Sequence, residues 1–322
     1  MQLTKLELDR VSQLPLAEQA EFLTLLEELE EAEVREKARV SFIDFARSMW
    51  PAFIDGEHHK IMADAFERIV SGDLKRLIVN MPPRHTKSEF ASYLLPAWFL
   101  GQHPEKKVIQ TAHTAELSVG FGRKVRNLVA EDGFKKVFPE LALRADSKAA
   151  GRWSTNKGGE YFAIGVGGAV TGKGADLLII DDPHSEQEGQ SADPTVFDKT
   201  YDWYTSGPRQ RLQPGGAIVI VMTRWHMRDL TGKIIKSATQ RKGVDEWEVI
   251  EFPAIFNENM PTEKALWPQF WELDELIALR NELPSSKWMA QYQQDPTSEE
   301  GALVKREWWK IWEKDDPPQC DF

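Results

Sequence analysis

The sequence predicts an α/β fold in which a mostly parallel β-sheet is flanked by helices on both faces. Short apolar runs alternate along the chain with segments of helical periodicity, which is typical of parallel strands joined by helical crossovers. These runs are continuously apolar rather than alternating, so we expect strands that are buried on both sides. The predicted strands cover residues 77–80, 107–113, 160–165, 176–181, 216–222 and 248–252.

Composition sets the broad class of the protein. With 322 residues, 41% of them hydrophobic, the chain can bury one large core and carry appendages. A single cysteine, Cys320, argues against a disulfide framework and indicates a reducing, intracellular setting. No apolar run approaches the roughly 18 residues of a membrane span, so no membrane association is expected. The net charge of −11 argues against a wholly basic nucleic-acid coat but allows DNA contact through a local patch.

Three regions are expected along the chain. Residues 1–40 are acidic, and their apolar residues recur at helical spacing, so they form either an arm packed on its own domain or a docking arm for a partner chain. Residues 41–255 are the predicted core. In residues 256–322 a helix is expected over 261–284, and clustered tryptophans indicate a packed region: Trp267, Trp271, Trp288, Trp308, Trp309 and Trp312.

The chemistry is expected to centre on the turn after the first predicted strand. The stretch Leu77-Ile-Val-Asn-Met-Pro-Pro-Arg-His-Thr-Lys-Ser88 runs from strand to turn to helix. In a phosphate-binding loop, backbone N–H groups and the positive end of the helix face the phosphate oxygens. The lysine reaches the outer phosphates and the following hydroxyl holds Mg²⁺. The candidate ATP-binding residues here are Pro83, Arg84, His85, Thr86, Lys87 and Ser88.

This loop departs from the usual pattern Gly-x-x-x-x-Gly-Lys-Ser/Thr. Met81 and Thr86 stand at the two glycine positions. From this stretch alone, a Lys-Ser pair that merely opens an ordinary helix is an equally good interpretation. A second motif further along the chain favours the phosphate-binding loop.

That second motif is the apolar strand that ends in Asp181-Asp182. Two adjacent carboxylates at the end of a buried strand are costly unless a cation or hydrogen-bond donors compensate them. Asp181 is assigned to Mg²⁺ and Asp182 to activation of the attacking water. Glu186, one turn further on, is the alternative for the water, because glutamate is commoner in that role. A helix N-cap by Asp182 is the plain structural alternative.

The order of these motifs predicts a RecA-like P-loop NTPase of the group that places a catalytic acid beside the metal-binding aspartate (ASCE). The strand over 107–113 lies between the loop strand and the acid strand, which is typical of that group. At the tip of the strand over 216–222, Thr223 is expected to sense the γ-phosphate or the attacking water. Arg224 beside it is a candidate for contact with phosphate or DNA. An ordinary strand-to-helix turn is the alternative for both residues.

Two further kinds of side chain are needed. Charge on the γ-phosphoryl group in the transition state calls for a cation, and Arg84 is the candidate in cis. A cation supplied in trans would come from a surface facing a neighbouring subunit, where Lys173 and Arg152 are the candidates. Upstream of the loop, Trp50 or His59 is the predicted adenine contact, whereas core packing is expected of the other aromatic rings there.

The most basic stretch, residues 224–242, is the candidate for contact with DNA. Phosphate contacts from such a face would be independent of sequence and sensitive to salt. A solvated helix face is an equally good interpretation. The basic residues that follow Arg224 are Arg228, Lys233, Lys236, Arg241 and Lys242.

Together these motifs resemble the ATPase domain of the large terminase subunit of tailed bacteriophages, over residues 42–312. The stretches that carry the resemblance are Met81–Ser88, Leu177–Pro183, Thr223–His226 with Asp229–Gly232, and Trp288–Pro296. The resemblance implies hydrolysis of ATP with Mg²⁺, coupled to movement of double-stranded DNA into a procapsid.

The same resemblance implies partners and a location. These are double-stranded DNA, the portal protein, the small terminase subunit and a homo-oligomeric ring, pentameric by family resemblance, in the cytoplasm of the infected bacterial host. Family members add a C-terminal nuclease domain, so residues 256–322 are expected to be a lid subdomain and a linker toward it, and nuclease activity is not expected in this chain. The alternatives are a RecA-like helicase or remodelling ATPase, and a non-hydrolysing nucleotide-binding scaffold.

Overall fold

A computed structural model describes residues 11–189, 191, 193 and 195–296 of this chain. One large β-sheet organises these residues, and a two-stranded hairpin lies near their C-terminal end. The strands of the large sheet are β1 (Arg76–Asn80), β2 (Lys107–Ala112), β3 (Leu143–Ala149), β4 (Arg152–Thr155), β5 (Glu160–Gly165), β6 (Ala175–Asp181), β7 (Leu212–Met222) and β8 (Glu248–Glu251). Their order across the sheet is β3-β4-β5-β2-β6-β7-β1-β8.

This order places three strand tips side by side. β7 lies between β6 and β1 and runs parallel to both, so their carboxyl ends meet at one edge of the sheet. The pairs β1–β8, β2–β5 and β2–β6 are also parallel. The mostly parallel, RecA-like α/β fold predicted from the chain order is therefore confirmed.

The sheet has an antiparallel extension that the sequence did not predict. β4 pairs antiparallel with both β5 and β3. Over β3 the sequence is Leu-Arg-Ala-Asp-Ser-Lys-Ala, which lacks the apolar run that marked the other strands. The hydrophobic pattern alone does not distinguish a polar edge strand of this kind from a loop.

Both faces of the central strands are buried, as their continuous apolar runs indicated. Successive residues of a strand point to opposite faces. Leu77 and Val79 therefore join the apolar cluster formed with the N-terminal helices. Ile78 between them joins a cluster on the other face, together with Leu230 and Ile234.

Helices cover the two faces of the sheet. None of those in the described ranges is long and apolar enough to cross a membrane. The helices are Leu16–Val40, Phe42–Met49, Glu57–Ser71, Leu95–Gln102, Ala115–Ala130, Asp132–Val137, Glu186–Gly189, Val196–Ser206, Leu230–Gln240, Leu273–Glu282 and Ser285–Lys287, with π-helical turns at Glu89–Leu94 and Trp288–Tyr292 and a 3₁₀ turn at Pro208–Arg211.

The N-terminal helix Leu16–Val40 is attached to the body mainly by its C-terminal end. Ala38 is buried, and Arg39 Nε donates to the carbonyl oxygen of Val137 at 3.0 Å. Nearer its start, Leu16 and Leu23 are exposed. Its role as a docking arm stays a prediction.

The C-terminal segment has its own small apolar cluster. The hairpin of β9 (Ile255–Phe256) and β10 (Lys264–Ala265) packs with the helix Leu273–Glu282. The helix predicted over 261–284 is therefore wrong in its first half, where the chain forms β10 and turns. The boundary at residue 255 stays a prediction, and Trp308, Trp309 and Trp312 lie outside the described residues.

Candidate functional site

Two side chains of the loop meet two carboxylates at the edge where β1, β6 and β7 end. Ser88 Oγ donates to Asp181 Oδ1 at 3.0 Å. Lys87 Nζ lies 2.8 Å from Asp182 Oδ2. The structure thus brings together the four residues that the sequence assigned to phosphate, Mg²⁺ and water.

The backbone of the loop is held in an unusual conformation. Arg84 and Thr86 have positive φ angles of 63° and 70°, in the left-handed region that favours glycine. Arg84 is exposed, whereas His85 between them is fully buried and its Nδ1 lies 2.8 Å from the carbonyl oxygen of Pro83. The loop therefore adopts this turn without glycines. His85 contacts the loop backbone from the protein interior rather than facing a ligand.

Asp181 is a buried carboxyl with two hydroxyl donors. Besides Ser88, Ser92 Oγ donates to Asp181 Oδ2 at 2.7 Å, and Gln110 Nε2 donates in turn to Ser92 Oγ at 2.8 Å. Burial and the neighbouring charge of Asp182 raise the pKa of Asp181 to about 7, against the opposing effect of Lys87 and the hydroxyl donors. A cation beside this carboxyl would favour its ionised form.

Lys87 stays charged although it is nearly inaccessible. Burial lowers its pKa, but the charges of Asp182 and Asp181 outweigh that effect, so the pKa of Lys87 is raised. Asp182 itself has a φ of 37°, and 39% of its side chain is exposed. The strand tip thus turns Asp182 outward, toward the loop lysine and solvent.

Thr223 joins the acid strand to the loop. Its backbone N–H donates to Asp182 Oδ1 at 2.8 Å, and its Oγ1 donates to the carbonyl oxygen of Met81 at 3.1 Å. Thr223 thus contacts both Asp182, the predicted catalytic acid, and Met81 at the start of the loop. Its sensor role stays a prediction.

Arg224 is not available to phosphate or DNA. Only 6% of it is exposed, and its Nε donates to Asp229 Oδ2 at 2.9 Å. The side chain of Gln294, from the C-terminal segment, accepts a hydrogen bond from the Arg224 backbone N–H at 3.2 Å. The predicted ligand contact of Arg224 is therefore wrong, because its charge is neutralised inside the protein.

A cavity of about 400 Å³ opens beside the loop. One side is formed by the loop and the other by aromatic and apolar side chains, among them Trp50, Trp267 and Phe270. Phe270 is 46% exposed and stacks on Trp267, with ring centroids 4.4 Å apart. An apolar, aromatic wall next to a phosphate loop is suited to hold a nucleotide base.

His59 does not line this cavity, so its predicted contact with adenine is wrong. The residue is fully buried, and its Nε2 lies 2.6 Å from Thr86 Oγ1. Its ring stacks on Phe90 behind the loop. Of the two predicted adenine contacts, only Trp50 faces the cavity.

The remaining candidates occupy separate places. Glu186 is exposed on the helix Glu186–Gly189, while Asp182 makes the contacts with the loop. Lys173 lies 3.6 Å from Glu160 and over the ring of Phe162, so its charge is engaged within the chain. Arg152 is exposed on β4. The trans cation stays a prediction.

Some of the basic side chains in residues 224–242 form ion pairs within the chain. Arg228 and Lys233 both contact the carboxylate of Asp198. Lys236, Arg241 and Lys242 are exposed at the end of the helix Leu230–Gln240 and just after it. These three residues are therefore the better candidates for contact with DNA.

The sequence motifs do not assign four residues that the structure places at the site. Ser92 and Gln110 complete the hydrogen bonds around Asp181, and Trp267 and Phe270 form part of the cavity wall. Ser92 follows Ser88 by four residues, and this spacing places both hydroxyls on one side of a helix. No local pattern marks Gln110 or Phe270, which reach the site only through the tertiary fold.

No protein-family model matches this chain, and no curated protein matches it significantly. Among solved structures, the chain is similar to the large terminase of bacteriophage HK97, with 16% identity and a TM-score of 0.49 over 76% of this chain and 51% of that one. It is also similar to an arginine-to-alanine mutant of the large terminase ATPase domain of Thermus phage P74-26, with 12% identity and a TM-score of 0.49 over 79% of this chain and 98% of that one.

A third similar structure is the large terminase of a thermophilic bacteriophage in complex with ADP, with 7% identity and a TM-score of 0.43 over 71% of this chain and 52% of that one. The chain spans about half the length of this terminase and of the HK97 terminase, which it covers to 52% and 51%.

Proposed function

We propose that this chain is an ATPase whose site is formed by the loop after β1 and the tips of β6 and β7. The observation that carries the proposal is the meeting of Lys87 and Ser88 with Asp182 and Asp181 at 2.8 Å and 3.0 Å. An amine, a hydroxyl and two carboxylates at the end of a parallel sheet are the groups that phosphoryl transfer from ATP requires.

The donors present at this edge fit Mg²⁺ bound together with a triphosphate. Mg²⁺ takes oxygen ligands and is usually held by one or two carboxylates together with substrate phosphates. Ser88 Oγ and the Asp181 carboxylate are the oxygens that would hold it. When bound, the ion neutralises charge on the phosphate oxygens.

Lys87 and Asp182 have separate proposed roles, in phosphate binding and in activation of water. Lys87 would exchange its contact with Asp182 for phosphate oxygens, leaving Asp182 Oδ2 free to accept a proton from the attacking water. Oδ1 stays bound to the Thr223 N–H, which orients the carboxylate. Arg84 is exposed at the loop and lines the cavity, where it can stabilise charge on the γ-phosphoryl group.

The base would lie in the cavity against Trp50 and Phe270. Stacking on aromatic rings contributes about 1–3 kcal/mol per base and tolerates different bases. ATP is therefore held at its triphosphate mainly by charge and backbone contacts, and at its base mainly by ring contacts.

The test is ATP turnover by the wild type and by Lys87→Ala. Loss of the lysine should abolish measurable turnover and weaken nucleotide binding in calorimetry. Lys135→Ala is the matched control, because Lys135 pairs with Asp132 on an exposed surface. Equal rates for the wild type and Lys87→Ala would instead support the non-hydrolysing scaffold.

We further infer that hydrolysis drives double-stranded DNA into a procapsid, as in the large terminase family that the sequence motifs resemble. Gln294 supports this inference, because it lies in the motif Trp288–Pro296 and contacts the backbone next to Thr223. The C-terminal segment is thereby linked to the residue that contacts the catalytic acid. The expected partners are DNA, a portal protein, the small terminase subunit and further copies of this chain in a ring, in the cytoplasm of an infected bacterium.

DNA and portal-bearing procapsids should raise the ATPase rate of the chain. Replacing Lys236, Arg241 and Lys242 together by serine should reduce this stimulation and its dependence on salt, and should leave the rate without DNA unchanged. A chain that hydrolyses ATP at the same rate with and without these partners would be an ATPase of another kind.

A further inference from the structure

His59 and Thr86 meet in a buried contact behind the phosphate loop. His59 is fully buried, and its Nε2 lies 2.6 Å from Thr86 Oγ1. The Thr86 hydroxyl donates to the carbonyl oxygen of His85 at 2.5 Å. Because a hydroxyl carries a single hydrogen, this bond leaves Thr86 Oγ1 as an acceptor for Nε2–H, which assigns the Nε2–H tautomer to His59.

Thr86 needs a restraint of this kind. Its φ of 70° lies in the left-handed region, where a β-branched residue is strained. The usual loop has glycine at this position, which adopts the same conformation without strain. A strained conformation persists only where its surroundings hold it in place.

His59 is fixed firmly enough to supply the restraint. Its ring stacks on Phe90 with centroids 4.8 Å apart and packs edge-on against Trp267 at 5.0 Å and Phe53 at 4.8 Å. The Phe90 N–H also donates to the carbonyl oxygen of Thr86 at 3.0 Å. The imidazole is therefore fixed by the aromatic rings around it. One of these residues, Phe90, is also hydrogen-bonded through its backbone to Thr86.

We propose that His59 is a positioning residue that takes the place of the missing loop glycine. Its hydrogen bond holds Thr86 in the left-handed conformation and so keeps Lys87 and Ser88 directed at the triphosphate. This inference rests on the nucleotide binding proposed above. Without the bond, only a fraction of the molecules would hold a binding-competent loop, which weakens apparent affinity by that fraction but leaves turnover of the bound complex unchanged.

A double-mutant cycle between His59→Leu and Thr86→Gly tests the proposal. His59→Leu should raise the Kd and KM for ATP about tenfold, with kcat unchanged. In the Thr86→Gly background the same substitution should change Kd by less than about twofold, because glycine needs no restraint. His59→Gln, whose amide can donate from a similar position, should retain most of the affinity. An equal loss in both backgrounds would overturn the proposal.

His58→Leu is the matched control. Its ring lies 3.8 Å from that of His59 and is almost completely buried, but the group that contacts Thr86 Oγ1 is His59. The control should lower the unfolding midpoint and leave KM unchanged. If His59→Leu lowered only the amount of folded protein, with KM unchanged, its role would be structural and the positioning role would be refuted.

Two variants test the same idea without changing His59. Thr86→Ala and Thr86→Gly both lose the hydroxyl, but Thr86→Ala keeps a side chain at positive φ, so it should bind ATP about tenfold more weakly than Thr86→Gly. Equal affinities of these two would refute the positioning role. If the wild type binds no ATP, the proposed function fails; if the wild type and His59→Leu bind alike while Lys87→Ala does not, only the positioning role fails.

Discussion

Lys87 and Asp182 form an ion pair inside the candidate site, with Nζ and Oδ2 2.8 Å apart. The lysine is nearly inaccessible, whereas the carboxylate is partly open to solvent. The group proposed to take a proton from water is therefore occupied by the group proposed to bind phosphate. Phosphate oxygens must displace the carboxylate from Lys87 before Asp182 can act, which ties the base to nucleotide binding.

Asp182→Asn is expected to stop most turnover and keep ATP bound. The amide cannot take a proton from water, so kcat should fall about 10²–10⁴-fold, the usual contribution of a general base. Kd should stay the same or decrease, because Lys87 loses a competing partner. Calorimetry and single-turnover assays measure the two effects. Glu186→Gln should retain its turnover; the opposite pattern would assign the base to Glu186.

Ser92→Ala should weaken both the fold and the use of Mg²⁺. It leaves Asp181 Oδ2 and Gln110 Nε2 without their shared hydroxyl, at a cost of about 1–3 kcal/mol in unfolding free energy. The Mg²⁺ concentration for half-maximal turnover should rise. Ser118→Ala is the control, since Ser118 donates to the carbonyl oxygen of Ile164 in a buried place outside the site. An identical Mg²⁺ dependence of the two variants would contradict the prediction.

Thr223→Val should uncouple the strand tip from the loop. The substitution keeps the shape of the side chain and removes the hydrogen bond to the Met81 carbonyl oxygen, at a cost of about 1 kcal/mol. We expect kcat to fall several-fold in steady-state kinetics with KM unchanged, because the backbone contact with Asp182 remains. Thr223→Ser keeps the hydroxyl and should behave like the wild type. A wild-type kcat in Thr223→Val would mean that this hydroxyl has no part in turnover.

Phe270→Ala should weaken binding of the base alone. Loss of one stacked ring should raise KM for ATP about tenfold and leave kcat unchanged. Inhibition by inorganic tripolyphosphate should not change, because that probe has no base. Met260→Ala removes an exposed side chain of the same segment and serves as the control. Equal losses for ATP and tripolyphosphate would place the effect in the loop rather than at the cavity wall.

Acid should destabilise the fold through its buried histidines. Burial is the main cause that lowers the pKa of His58 to about 3, of His59 to about 2 and of His85 to about 4. Below about pH 6.5 the unfolded chain binds protons that the folded chain does not, so the unfolding free energy falls by up to about 1.4 kcal/mol per pH unit for each histidine. Asp181, whose pKa is raised to about 7, binds a proton in the folded chain over the same range and offsets about one of the three histidines. Urea denaturation between about pH 7.5 and about pH 5.5 measures the net slope.

Substitution of one buried histidine tests its share of this pH dependence. His58→Leu should reduce the slope of unfolding free energy against pH by about one proton, since one buried neutral imidazole is removed. The same slope in the wild type and His58→Leu would show that His58 already takes up its proton in the folded state.

The strands were predictable where burial on both sides makes the sequence continuously apolar. All six predicted strands are present. The central strands β1, β2, β6 and β7 need apolar residues on both faces of the sheet, whereas the edge strand β8 is only partly buried. β3 and β4 were missed, since an edge pair can be polar. The helix predicted over 261–284 failed in its first half, where tertiary packing draws Lys264–Ala265 into a hairpin with Ile255–Phe256.

The candidate site was predictable where strand topology alone places a residue. The end of a parallel strand fixes the location of Asp181 and Thr223, so their convergence with the loop follows from the strand order. His59 was misassigned because helical spacing does not tell which side of a helix faces the core. Arg224 was misassigned because its partner Asp229 becomes apparent only when the turn between them is folded.

Gln294 fastens the C-terminal segment to the strand tip. Its amide oxygen accepts a hydrogen bond from the Arg224 N–H. The preceding N–H, that of Thr223, donates to the carboxylate of Asp182. Mechanical tension on the chain after Pro296 would thus reach the carboxylate of Asp182, the proposed proton acceptor, through two neighbouring peptide groups. An opposing force on that chain should slow hydrolysis directly, even when substrate is saturating.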